Sequence, residues 1–196
     1  MATTRRLNPA IVVGTAVELA NATSFEAVTL AALAEQLGIR IPSLYNHVSG
    51  LPGLHYQMSL WALRSSSDLI RRAGVGKAGA DAVLSMAHAY RAFAHTNPGV
   101  YRLILRAPAP DEPELTVAAQ ELLDLLLAAL QPYKLSEEAM LHTVRGLRSV
   151  LHGFVDLEIS GGFALALDRD ESFERLVRGF IAGIEVTSPS AAASVK

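Results

Sequence analysis

Gly38 and Pro42, four residues apart in the stretch LAEQLGIRIPSLYNHV, constrain this chain more than any other feature. Glycine adopts the left-handed backbone that ends a helix at no steric cost. Proline breaks a helix interior, because it removes a hydrogen bond and clashes with the preceding turn. In the first turn that N–H has no partner anyway, so Pro42 marks a beginning. The stretch therefore reads as two short helices, 29–36 and 40–47, around a tight turn, which is a helix-turn-helix. Leu30, Leu33 and Leu37 face inward, as do Leu44 and Val48, four apart.

The other side of the second helix carries the chemistry. Arg40, Ser43 and His47 recur at i, i+3 and i+7, with Tyr45 and Asn46 beside them. All five form hydrogen bonds, and Arg, Ser, Tyr and Asn reach phosphates or base edges. A short helix presenting its N-terminal turn fits the major groove of DNA. The bland reading is an ordinary amphipathic surface helix that happens to carry a Tyr and a His.

Almost everything else reads as helix, giving an all-α chain of about nine helices. Asn8 and Pro9 open the first, as cap and first residue. Asn97 and Pro98 repeat the device. A long fourth helix over about 51–72 ends in Arg71, Arg72 and Gly74. Pro132 stops another helix, Ser136 caps the next, and Asp168 with Glu171 opens the last. Three short helices in residues 1–50 thus precede longer, Leu- and Ala-rich helices over 51–186. Residues 187–196 read as a disordered tail.

The 196 residues contain no cysteine, which excludes disulfides, thiolate metal sites and cysteine nucleophiles. The start of the chain lacks a signal-peptide pattern and no apolar run is long enough to span a bilayer, so a cytoplasmic protein without membrane attachment is expected. The net charge is −2, and residues 1–50 hold three arginines against three glutamates. Any basic surface for nucleic acid must therefore be local. Arg5 and Arg6 are candidates for a mobile arm.

VTLAALAEQLGIRIPSLYNHV resembles the DNA-binding domain of TetR-type (TetR/AcrR) transcriptional repressors. Thr29, Ala34, Gly38, Ile39, Pro42, Leu44, Tyr45, His47 and Val48 all match the family's pattern, and LRSVLHGFVDLEISGGF is similar to a C-terminal helix of one branch, of Leu-His-Gly type. The resemblance implies a homodimer that places one reading helix per subunit in a palindromic operator and is released by a small-molecule inducer. It assigns phosphate contacts to Thr29, Tyr45 and His47. It assigns base reading to Arg40, Ile41, Pro42 and Ser43, with Tyr45 also contributing; Asn46 is a DNA-binding candidate by its place beside that face. Three departures stand out. Arg40 occupies a position where the family often has a Ser or Thr cap. Leu51 stands where it often has a phosphate-binding Lys. On a helical wheel, Ile41 falls close to Leu44 and Val48, on the core side.

The resemblance puts an inducer pocket in residues 51–186, with Met58, Trp61, His88, Phe93 and Tyr101 as candidates; ordinary core packing explains each of them as well. Apolar faces on the last two helices mark a dimer interface, through Gly146, Val150, Gly153, Phe154, Phe173, Val177, Phe180 and Ile184. No Gly-rich phosphate loop, His-Glu-x-x-His or Gly-x-Ser-x-Gly motif is present, so no enzyme, metal or cofactor is expected. The rival expectation is a ligand-binding helical protein of the same fold that does not read DNA.

Overall fold

The computed structural model describes residues 7–187. Arg5 and Arg6 lie outside the described residues, as does 188–196 of the expected tail. Eight α-helices follow in order: α1 (Pro9–Ala22), α2 (Leu30–Leu37), α3 (Ile41–Leu44), α4 (Gly50–Gly74), α5 (Gly79–Thr96), α6 (Pro113–Leu130), α7 (Glu137–Ile159) and α8 (Arg169–Thr187). Two short 3-10 helices span Tyr101–Leu105 and Gln131–Tyr133. Among the described residues there is no strand, and no helix is long and apolar enough to cross a membrane.

Several boundaries follow from capping. Asn8 accepts a hydrogen bond from the Ile11 amide at 2.9 Å, with Pro9 behind it. Ser136 accepts from Ala139 N at 3.2 Å, and Asp168 from Asp170 N at 2.8 Å. The Asn97–Pro98 pair differs from expectation. It opens a turn in which the Asn97 carbonyl accepts from the Val100 and Tyr101 amides, and a 3-10 helix follows. Proline suits the second position of a turn as well as the first of a helix. The sixth helix expected from Pro98 is this turn and 3-10 segment, which leaves eight α-helices among the described residues.

The chain forms two compact units: residues 7–65 with Thr96–Ala119, and Ser66–His95 with 120–187. The first has a continuous apolar core. Val12, Val13, Ala16, Val17 and Ala20 of α1 pack with Leu33 and Ala34 of α2, Leu44 of α3, and Leu54 and Met58 of α4. Val100, from far along the chain, is fully buried in the same core, with Leu103 packed against it. The three-helix segment is thus part of a larger unit, completed by the start of α4 and by the segment after α5.

The second unit is organised around a buried carboxylate. Glu158 of α7 accepts from Arg91 of α5 at 2.8 and 2.6 Å, and its Oε2 lies 2.7 Å from His95 Nε2. Arg91 also pairs with Asp170 at 2.8 Å and stacks over the Phe173 ring at 4.9 Å. One turn back along α5, His88 Nε2 meets Glu174 of α8 at 2.8 Å. The Arg91 hydrogen bonds hold the Glu158 carboxyl at about 2, against an ordinary 4.5; burial opposes this and His95 assists.

Because the folded value is lowered, the stabilisation is present above the unfolded value and is lost as pH falls from about 5 towards 2. A shift of this size corresponds to on the order of 3 kcal/mol. Glu158→Gln is expected to lower stability at neutral pH by about that amount, since it leaves the largely buried Arg91 with only the exposed Asp170 carboxylate as an ionic partner. Denaturant titrations at a series of pH values should give a shallower acid limb for the variant than for the wild type; parallel limbs would contradict this.

Candidate nucleic-acid interface

α2 begins at Thr29, whose hydroxyl accepts from the Ala32 amide at 3.1 Å. It ends at Gly38, which sits at φ 66° and ψ 31°. The Gly38 amide donates to Glu35 O and the Ile39 amide to Ala34 O, both at 3.0 Å. These are the two bonds of a Schellman cap, which satisfies carbonyls left over at a helix end. Nothing crowds a Cβ at Gly38, so the left-handed backbone alone accounts for the glycine there.

Arg40 then takes the N-cap position of α3 in extended backbone, with no side-chain cap. Pro42 lies in the first turn, as its chemistry requires. The helix proper has four residues, and the Leu44 carbonyl carries the chain on by accepting from the His47 and Val48 amides at 2.8 and 3.0 Å. Leu44 and Val48 are buried and anchor this segment to the core.

The anchoring decides what faces outward. Thr29, Arg40, Ile41, Pro42, Tyr45 and Asn46 are exposed, and Ser43 and His47 are half-buried. Ile41 is 39% exposed and Tyr45 60%. The core position that a helical wheel suggests for Ile41 is therefore not the one it takes, because a helix this short buries only one side chain per turn. Leu51, in place of a lysine, is half-buried against the core. Over residues 7–50 Arg40 is the one cation, against Glu18, Glu26 and Glu35. The surface offers hydrogen-bonding and apolar groups around a single guanidinium.

Candidates elsewhere in the chain are distributed between the two units. Met58 is buried in the first unit's core, with Trp61 packed against it, and Tyr101 is buried in the same unit. His88 and Phe93 belong to the second unit, where His88 bonds Glu174 and lies edge-on to Phe173. On α7 and α8, Phe173, Val177 and Ile184 are buried within the chain itself, which removes them from the expected partner-facing surface. Phe154 rests on Phe163 and Phe173, while a Cβ on Gly146 would touch Phe180 at 3.1 Å. Val150 is half-buried. Gly153 is exposed, and so are Gly179, Ala182 and Gly183 of α8. The last three carry a helical i, i+3, i+4 spacing that large-residue periodicity passes over. Sequence reasoning also passes over the Arg91–Glu158–His95 cluster; its one signal is His88, Arg91 and His95 at i, i+3 and i+7. Among the described residues no group of three His, Asp or Glu side chains could hold a metal ion.

Comparison with known proteins agrees with this geometry. Residues 83–180 match the family described as Tetracyclin repressor-like, C-terminal domain. The uncharacterized HTH-type transcriptional regulator Rv0681 of Mycobacterium tuberculosis is 38% identical over 82% of this chain and 74% of its own length. The uncharacterized HTH-type transcriptional regulator YobS of Bacillus subtilis is 32% identical over 93% of this chain and 95% of its own. Among solved structures, a TetR variant from Acinetobacter baumannii in complex with minocycline has the same fold. Its TM-score is 0.69 at 19% identity, over 92% of this chain and 97% of that one. A helix-turn-helix with an exposed reading face, joined to a second helical unit, defines the class of helix-turn-helix transcriptional regulators. Within that class the chain belongs to the TetR family, whose members bind DNA and are not enzymes.

Two substitutions separate anchoring from reading. Leu44→Ala is expected to cost about 2–5 kcal/mol of stability, as a cavity in a packed core does. Tyr45→Ala should stay within about 0.5 kcal/mol of wild type, as exposed positions do, yet weaken duplex binding. Denaturation curves and fluorescence anisotropy with labelled duplex check both, and a destabilised Tyr45→Ala would make that residue structural.

Proposed function

We propose that the chain is a repressor that binds a palindromic operator as a homodimer and is released by a small molecule. The observation that carries the DNA-reading part is the exposure of Arg40–Pro42 and Tyr45–Asn46 around the buried Leu44. Arg40 pairs with guanine or a phosphate, Ile41 and Pro42 meet thymine methyl groups, and Ser43 and Asn46 supply further hydrogen bonds. Thr29, Tyr45 and His47 hold phosphates.

Dimerisation rests on the open part of α7 and α8. A Cβ at Gly153, Gly179 or Gly183 would meet nothing, and Leu157 is 49% exposed. Small residues in a stripe let helices of two copies approach closely, and a two-fold dimer matches a two-fold operator. The inducer reading is supported by two buried hydroxyls of the second unit that lack a hydrogen-bond partner, Ser67 Oγ and Tyr133 OH. Buried polar atoms are rarely left in that state, so a ligand with complementary polar groups would satisfy them. Binding of minocycline to the Acinetobacter relative's structure is in keeping with a small-molecule effector.

The charge of residues 7–50 favours a second reading, a ligand-binding protein without operator recognition. Selection of the purified dimer against random duplexes at low salt decides between them. The repressor reading predicts an enriched inverted repeat with half-site centres about one helical turn, or a multiple, apart. Its affinity should fall as salt rises, because phosphate contacts release counterions. A folded dimer that enriches no sequence would favour the second reading.

A further inference from the structure

His55 of α4 is a titratable side chain of the first unit that lies off the exposed face of α3. Its ring rests on Phe25, with centroids 4.5 Å apart and planes at 42°. Its Nε2 is closed off from solvent and has no hydrogen-bond partner. The ring thus braces α4 against residues 23–29, the loop that joins α1 to α2. Phe25 packs against the first unit's core, and Val28 is buried within it. The Phe25 carbonyl accepts from the Val28 amide at 3.2 Å, which ties the two together. The next residue, Thr29, caps α2 with its hydroxyl. What His55 holds is therefore the entry to the helix-turn-helix.

A neutral ring suits this place and a charged one does not. Both nitrogens of an imidazolium carry a proton, so Nε2 would become a buried donor with nothing to accept from it. Burial accordingly pushes the His55 imidazole below its ordinary 6.5, and the Val28 backbone, which favours the charged form, offsets this only in part. On the loop packed against the ring the one charged side chain is Glu26, which is exposed and lies in the field of Arg102. Tyr56 is the titratable neighbour on α4. No charged side chain contributes to the His55 shift. Because the folded value lies below the unfolded one, the stability of this contact is complete above about 6.5 and is lost as pH falls from there towards the folded value.

We propose that His55 is a positioning residue for DNA binding: its neutral ring holds the entry to α2 against α4, and its protonation loosens that entry and weakens the grip on duplex. This rests on the DNA reading above. His55 acts through Phe25 and Val28 on Thr29, the proposed phosphate contact at the start of α2. Acid would then release duplex without any small molecule.

The test measures duplex affinity of the full chain from about pH 7.5 to about pH 5.5, a range that spans the ordinary histidine value. Wild type is compared with His55→Leu, whose side chain stays apolar and neutral throughout. Charging other histidines as pH falls, His47 among them, strengthens phosphate contacts, and both proteins share that effect. Expected is a several-fold loss of affinity for the wild type relative to His55→Leu, each referred to its own value at the upper pH. Hydrogen exchange between Phe25 and Leu33 should be faster in the wild type than in the variant at the lower pH and should converge at the upper. Comparing the two proteins at one pH removes the intrinsic pH dependence of exchange. His55→Gln, polar but not titratable, serves in the same comparison if His55→Leu does not fold.

The proposal is overturned if wild type and the non-titrating variant change affinity in parallel. It is overturned as well if affinities diverge while exchange between Phe25 and Leu33 does not. A wild type that binds no duplex even at the upper pH would sink the DNA reading, and the proposal with it; failure of the proposal alone leaves that binding intact.

Discussion

The burial of Leu44 is the constraint on which the rest depends. A helix of four residues has no stability of its own, since isolated helices shorter than about 12 residues are marginal in water. α3 exists because Leu44 and Val48 are held in a core built from α1, α2 and α4. Burying one leucine fully contributes about 1.5–3 kcal/mol, enough to select one orientation among many. Once Leu44 points inward, Ile41, Pro42 and Tyr45 have nowhere to go but outward. The exposed face is the complement of the anchor.

If α3 is the reading element, that arrangement also bears on how the face would work with so little charge. Cations supply most nonspecific affinity for DNA, and this segment has one. On the proposed reading its recognition would lean on geometry: groups placed rigidly enough to find base edges. Rigidity comes from the Schellman cap at Gly38, the proline in the first turn of α3, and a core completed by Val100. A TetR-family chain that has Leu51 in place of a phosphate-binding lysine, and uses it for packing, gives up long-range attraction and gains core.

Much of this was legible in the sequence where the signal is local. The left-handed Gly38 and the proline at a helix start each follow from one residue's backbone chemistry, and the missing cap at Arg40 follows from the resemblance. What was not legible depends on distance. Asn97–Pro98 looks the same before a helix and before a turn, and only the approach of Gly99 to Ala20 distinguishes them. Periodicity shows that Phe173, Val177 and Ile184 are apolar on one face, but not that the face is covered by their own chain. Glu158 is separated from Arg91 by more than sixty residues, so no spacing rule could pair them. Ile41 misled for a related reason: a helical wheel assumes a helix long enough to have a buried face of full width.

Everything turns on where duplex DNA touches this protein. Hydrogen exchange of the full chain, with and without saturating duplex, maps that contact on any duplex the protein binds, whether or not its operator has been found. If α3 is the reading element, slowed exchange will concentrate between Thr29 and Val48, with the outer parts of α7 and α8 unchanged. Protection centred on α7 and α8, or none near Arg40–His47 under conditions where duplex is bound, would contradict it.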